Sequence, residues 1–391
     1  MQQMLSLPED FPQIDLDHWT KVRRHFHQHP ELSGYETHTA AEAALILKDM
    51  SLYEVHEGIG GTGVLAIYKA QKEGPTLLFR TELDALPIQE INEFDHRSNT
   101  DGVSHKCGHD GHLTIVLALA ERIRQSPPER GTVVLLLQPA EENGQGAAAI
   151  LADERFHELV KPDAVYALHN LPGYPLGHAC IRHGSFTAAV NSSVYRLYGK
   201  TAHAAEPEHG HNPGKALAKM MQFALSQSRN VPDAEDFSVV TPICMRLGDE
   251  SYGISAGYGE LHLTVRCWRE EQLQELCRVL EKEMKRIAES ENLRLEAEYI
   301  FHFHANENAD EPVNEVLAAA DRIKLPRLER DYPFKWGEDF GLFTQRYPGA
   351  MFGIGSGEDC PALHNPDYDF PDALIDTASA VFYQIVKQKL K

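Results

Sequence analysis

Long apolar runs are missing from this 391-residue chain. None approaches the ~20 residues a membrane-spanning helix requires. The first thirty residues carry charges, prolines and histidines where a signal peptide would need an apolar core. Basic charge is also short: 37 lysines and arginines stand against 58 acidic residues, a formal net charge of −21. That balance opposes binding to nucleic acid or to an anionic membrane. Cysteine is sparse, with residues at 107, 180, 244, 267, 277 and 360 and no spacing that suggests a disulfide framework. A reducing cytoplasm is therefore the expected compartment. Five of these cysteines read as buried apolar fillers, and Cys107 alone lies among other metal-ligand side chains. The chain has no internal repeat and no low-complexity segment.

What is present is the composition of a soluble globular protein, 42% hydrophobic and 24% charged. The length predicts two domains rather than one core. Residues 17–50 read as two helices broken at His29-Pro30, and residues 62–70 and 75–80 as short strands, the second running toward Asp84. Residues 131–137 are apolar on both faces, as in a central strand of a covered parallel sheet. A helix over 113–123, with Asp110 as N-cap, precedes that strand, and a helix over 146–157 and a strand over 164–168 follow it. This alternation predicts an α/β catalytic domain with a mostly parallel sheet. From about residue 183 the texture changes. Strands at 186–199, 237–247, 258–268 and 293–304, with helices at 213–227 and 270–292, spell β-α-β-β-α-β, the ferredoxin-like order. The expected division is residues 1–182 and 305–391 for the catalytic domain, split by an inserted α+β satellite over 183–304. The resumed part carries helices over 313–323 and 373–389 and a strand over 350–355.

The densest chemistry is His105-Lys106-Cys107-Gly108-His109-Asp110-Gly111-His112. In an extended or open segment Cys107 and His109 share a side and can grip one metal centre, while Asp110 points away. A thiolate and an imidazole suit zinc or its neighbours. Alone, such a cluster in a chain with 21 histidines would mean little. Other polar groups strengthen it, because Asp84, Glu141-Glu142, His169 and His364 each follow an apolar strand-like run. Ligands of α/β sheets gather at the carboxyl ends of strands. On an extended backbone Glu141 and Glu142 would point in opposite directions, so one could bind metal while the other carries a proton. Metal-assisted amide hydrolysis needs both functions.

Taken together, these segments resemble the aminoacylase-type metallopeptidases, in particular the amidohydrolase branch that includes hippurate hydrolases, N-acetyl-diaminopimelate deacetylases and auxin-conjugate hydrolases. The matching pieces run in order over nearly the whole chain. They are Arg23-Arg24-His25-Phe26-His27 with Pro30-Glu31-Leu32, Asp84-Ala85-Leu86-Pro87, residues 107–112, and Gln138-Pro139-Ala140-Glu141-Glu142. His169-Asn170, residues 199–205 around His203, Glu338-Asp339-Phe340 and Leu363-His364-Asn365-Pro366 complete them.

The resemblance implies two divalent ions, zinc, manganese or cobalt, with Cys107 bridging them and His109, Glu142, His169 and His364 as the other ligands. It implies Glu141 as general base and acid, and His203 as a satellite-domain donor to the oxyanion, often acting on the partner subunit's site. Asp84 would support the ligands from behind, because Glu82 stands where related branches have a histidine before such an aspartate, and Asp110 would cap the helix or support the ligands. His105 and His112 would also support the ligands. Arg266 retains the arginine of a Thr-x-Arg pattern and is a candidate substrate contact, but the Asn-Val-Ile-Pro segment of many relatives is replaced by Ser251-Tyr252-Gly253-Ile254. The implied activity is hydrolysis of an N-acyl amino acid to a carboxylic acid and a free amino acid, by a homodimer. A dipeptidase or carboxypeptidase with the same centre is the alternative, and a metal-binding homologue without activity is the rival outside the enzymes.

Overall fold

The computed structural model describes residue 7 and residues 11–391. Residues 1–6 and 8–10, part of the stretch where a signal sequence would fall, lie outside it. The chain forms two units, one of residues 1–186, 307–330 and 339–391, the other of residues 187–306 and 331–338. The second unit thus opens and closes slightly later than residues 183 and 304, and it takes back a short segment from the returning chain.

The first unit is built on an eight-stranded mixed sheet. Its spine is four mutually parallel strands, Arg130–Gln138, Lys72–Glu82, Ala164–Pro172 and Gly349–Gly357, adjacent in that order. Antiparallel strands Glu54–Ile59 and Gly63–Lys69 extend one edge. The α/β class with a mostly parallel central sheet is what the sequence predicts. The strand Glu54–Ile59 is an addition, since its Glu-Val-His-Glu-Gly-Ile sequence lacks the apolar run that marks the others. In the central strand Arg130–Gln138, Val133, Val134, Leu135, Leu136 and Leu137 are all fully buried. Each contributes about 1.5–3 kcal/mol by leaving water.

Helices cover this sheet. The helix Leu16–Gln28 is capped by the Asp15 side chain, which accepts from His18 N at 3.1 Å. The helix His109–Gln125 is buried along nearly its whole length. It begins four residues earlier than expected, so its N-cap is Gly108 in a left-handed conformation (φ 95°) rather than Asp110. A Cβ on Gly108 would lie 2.8 Å from both Asn170 Oδ1 and the Tyr368 hydroxyl, so only glycine fits. Among the described residues no helix is long and apolar enough to cross a membrane.

The second unit is a four-stranded antiparallel sheet ordered Ser238–Leu247, Tyr258–Cys267, Ala189–Tyr198, Arg294–Phe303. The helices Gly214–Ser226 and Glu270–Ser290 bury Met220, Ala224, Leu280 and Met284 against Tyr195, Leu197, Leu263 and Val265 of the sheet. All six cysteines are free thiols. Of the five read as fillers, Cys180 and Cys267 are buried, whereas Cys244, Cys277 and Cys360 are only half-buried.

Candidate metal centre

Four chain segments of the first unit bring metal-ligand atoms together. Cys107 ends the approach to the helix His109–Gln125, and His109 is its first residue. His169 lies inside the strand Ala164–Pro172, which runs past it instead of stopping at residue 168. Glu141 and Glu142 open the turn after Arg130–Gln138. His364 stands in the loop after Gly349–Gly357. Two of these turns use left-handed backbone at residues with side chains, Ala140 (φ 53°) and His364 (φ 65°). Such conformations cost about 1–3 kcal/mol and persist where the surroundings hold them. Here Glu36, fully buried, accepts from Ala140 N at 2.8 Å, and His364 N donates to Lys106 O at 2.7 Å.

Three overlapping groups of ligand atoms each fall within 4.8 Å: Cys107, His109 and His169; Cys107, Glu142 and His364; and His109, Glu141 and Glu142. Cys107 belongs to the first two. Glu141 and Glu142 are therefore not turned apart, as an extended backbone would require. Ala140 breaks that extension, and both carboxylates come to His109.

The hydrogen-bond pattern decides which nitrogen each imidazole presents. His109 Nδ1 donates to the Asp84 carbonyl at 2.9 Å, and buried Nε2 has no hydrogen-bond partner. His169 Nδ1 donates to Asn170 O at 2.8 Å, so its Nε2 lone pair faces Cys107 Sγ at 3.5 Å. Sulfur and nitrogen ligands at ~2.3 and ~2.0 Å from a tetrahedral ion sit about 3.5 Å apart. The Glu142 carboxylate turns Oε1 toward His109 Nε2 (3.8 Å) and Oε2 toward His364 Nε2 (3.7 Å).

Electrostatics point the same way. Burial, reinforced by Glu142 and Glu141, pushes the Cys107 thiol well up. Burial alone would lower the pKa of His109, but Asp84, Glu82 and Glu142 outweigh it and push it up to about 10. Burial and neighbouring His112 hold His169 well below its ordinary value. Anionic side chains around an orphaned imidazole nitrogen are a donor set that suits divalent cations. The residues present thus fit metal ions.

Asp84, two residues past the strand Lys72–Glu82, is fully buried and serves two candidate ligands at once. Its Oδ2 accepts from Glu142 N (2.9 Å) and Ser33 Oγ (2.7 Å), and Oδ1 lies 3.3 Å from His109 Nδ1. Asp110 turns away, as expected, to His27 Nδ1 (2.8 Å) and Arg23 (3.2 Å). Glu82, His109 and His112 form a further close group. Glu82 and His112 are occupied, however: they bond each other at 2.9 Å, Arg80 pairs with Glu82, and Asn170 Oδ1 meets His112 Nε2 at 2.7 Å. His105 is buried and bonded to neither side, and burial pushes it down to about 4.

Sequence reasoning did not single out Glu36 or the role of Asp339. Asp339 accepts from Ala147 N and Gln138 Nε2, both at 2.8 Å, and its own N–H reaches Glu141 Oε1 at 3.4 Å. The remaining candidates lie in the second unit. His203 is exposed, with Nδ1 accepting from Ala205 N at 3.1 Å, which leaves the hydrogen on Nε2. Its strand pairs with the segment lacking the asparagine, Ile254 opposite His203. Arg266 donates to Lys335 O at 2.7 Å.

Residues 78–388 match the model of Peptidase family M20/M25/M40. The chain belongs to this family. It is 29% identical to the N-acetyl-L-cysteine deacetylase of Bacillus subtilis (strain 168) over 99% of this chain and 92% of that protein. An uncharacterized hydrolase of Staphylococcus haemolyticus is 30% identical over 95% of this chain and 98% of its own length. Among solved structures, a Bacillus subtilis protein described as a dinuclear metal binding peptidase from the M20 family superposes with a TM-score of 0.81 at 25% identity, covering 96% of this chain and 98% of that one. This M20 chain is a hydrolase of amide bonds.

Proposed function

We propose that the protein hydrolyses the acyl amide of N-acyl amino acids at a dinuclear metal centre. One observation carries the reading: Cys107 is shared by two groups of ligand atoms, one completed by His109 and His169, the other by Glu142 and His364. Cys107 would thus be available as a thiolate to two cations, each held by one of these groups. When bound, the ions supply Lewis acidity toward the amide carbonyl and toward water.

The protein's own groups do the rest. Glu141 is buried, held by the Asp339 N–H, and close to His109 and Glu142 without being needed in either ligand group. It accepts the proton from the attacking water and returns it to the leaving amine, so one carboxylate serves as base and then acid. Asp84 fixes the tautomer of His109 through its carbonyl and the orientation of Glu142 through its carboxylate. His203, with its hydrogen on Nε2, is equipped to donate to an oxyanion, and Arg266 is the candidate contact for a substrate carboxylate. The N-acetyl-L-cysteine deacetylase among the relatives supports an acyl amino acid over a peptide. A homodimer is part of the same reading, supported by the satellite's edge strand, where Ile243 is 62% and Met245 52% exposed. Sedimentation velocity tests it, and a monomer at micromolar concentration contradicts it.

The activity is tested by loading purified protein with manganese, zinc or cobalt and assaying N-acetyl and N-benzoyl amino acids beside dipeptides. N-acyl turnover is the expected result. Turnover of dipeptides alone would shift the assignment to a dipeptidase, and turnover of neither would contradict it.

A further inference from the structure

The second unit holds a cluster of metal-ligand side chains of its own. The edge strand Arg294–Phe303 runs into a His302-x-His304 pattern, with His304 one residue past the strand's end, and both imidazoles turn to one side of the chain. The rings stack with centroids 4.3 Å apart and planes 30° from parallel. Facing them is Glu270, the first residue of the helix Glu270–Ser290. Its carboxylate is divided between the rings, Oε1 at 3.0 Å from His302 Nε2 and Oε2 at 3.3 Å from His304 Nδ1. Nitrogen and oxygen ligand atoms of all three residues lie within 4.8 Å of one another.

Hydrogen bonding accounts for half of this arrangement. The His302 contact is a hydrogen bond, but His304 Nδ1 and Glu270 Oε2 are both buried atoms with no hydrogen-bond partner. Two buried polar atoms 3.3 Å apart that make no hydrogen bond cost free energy unless a third group satisfies both. Protonating both stacked imidazoles would set like charges side by side. A single cation shared by the carboxylate and two neutral rings removes both difficulties. Asn191 lies opposite His302 in the strand register, on the same face, and its buried Oδ1 also lacks a hydrogen-bond partner. The side chain of His302 is 36% exposed, which gives an ion a way in.

We propose that Glu270, His302 and His304 bind one borderline divalent cation, Zn2+ or a neighbour of it in the transition series, and that the ion ties the start of the helix Glu270–Ser290 to the end of the edge strand. Two imidazoles and a carboxylate match zinc and its neighbours better than magnesium or calcium, which prefer all-oxygen shells. An ion held only by the folded unit stabilises it by mass action. None of the three residues is among the candidate ligands of the Cys107 centre, so the proposal does not depend on the activity assigned there.

The test compares wild type with H302Q/H304Q after equilibrium dialysis against Zn2+, counting bound zinc per chain. The double variant is expected to hold one ion fewer, whatever number the other centre holds in both proteins. It should also lose the part of the zinc-induced rise in melting temperature that E270Q loses. Equal zinc counts in wild type and variant would overturn the proposal, and so would a loss of more than one ion. Should the double variant fail to fold, bound zinc is counted in E270Q, which keeps the shape of Glu270: one ion fewer supports the site, and an equal count or a larger loss overturns it. Cobalt gives a second readout: wild type is expected to show visible absorption from one more Co2+ than the variant, and identical spectra would count against the site.

Discussion

Cys107 is a thiol whose burial and carboxylate neighbours oppose ionisation, so it would need a bound cation to become a thiolate. C107A is therefore expected to lose metal from both positions it would bridge, read as metal per chain after gel filtration; full metal content in C107A would refute the bridge. Asp84 acts on the metal only through His109 and Glu142. Replacing it by Asn keeps the carbonyl but weakens the grip on Glu142 N and Ser33, and should cost about 10–100-fold in metal affinity. Competition with a chromogenic chelator measures this, and unchanged affinity would remove Asp84 from the account. The gathering of Cys107, His109, Glu142, His169 and His364 was legible because Cys107 and His109 share one compact motif and the other three follow apolar strand-like runs. The convergence of Glu141 and Glu142 was not, since it depends on the left-handed backbone at Ala140, and nothing in Pro139-Ala140 announces that.

Helices set the second layer. The helix Leu16–Gln28 is tied to the helix His109–Gln125 by Arg23 and His27, one turn apart, both bonded to Asp110. Glu90 closes the cluster through His27 Nε2 (3.1 Å) and Lys106. Burial alone would lower the pKa of His27, but Asp110 and Glu90 push it up to about 9. Burial alone would raise Glu90, but His27 and Lys106 pull it down to about 2. A raised imidazole pKa stabilises the fold fully below its unfolded value near 6.5, and that stability is lost as pH rises through about 9. A depressed carboxyl stabilises above its unfolded value near 4.5 and loses this as pH falls through about 2. The cluster thus contributes fully between those two unfolded values. On the alkaline side the His27 contribution at stake is on the order of 3 kcal/mol at most. H27Q should flatten the fall in melting temperature between pH 7 and 9, and an unchanged slope would contradict the assignment. The same helix leaves no room at Gly111, where an added Cβ would sit 2.4 Å from the Phe370 ring. G111A should cost about 1–3 kcal/mol of stability in denaturant titration. Helix and strand identities followed from periodicity, but these ties did not: Arg23 also pairs with Asp372, 349 residues away, and no local pattern encodes such a contact.

For the whole molecule, a net charge of −21 and a centre built from thiol, carboxylates and imidazoles make cations part of the stability of the fold. Chelation is expected to lower the melting temperature by several degrees, since each ion present at about 100 times its dissociation constant contributes about 2.7 kcal/mol. Calorimetry with and without EDTA checks this. The sequence places the change of strand texture near residue 183, whereas the α/β unit gives way to the antiparallel satellite after residue 186. The return of residues 331–338 to the second unit was not visible, because that segment lacks a periodic pattern. The proposed mechanism gives metal binding and proton transfer to adjacent residues, Glu142 and Glu141. It is tested most directly by measuring kcat and metal content together in E141Q. The account predicts a fall in kcat of about 100- to 10,000-fold with metal per chain unchanged. Turnover within a few-fold of wild type, or loss of metal in parallel with activity, would contradict it.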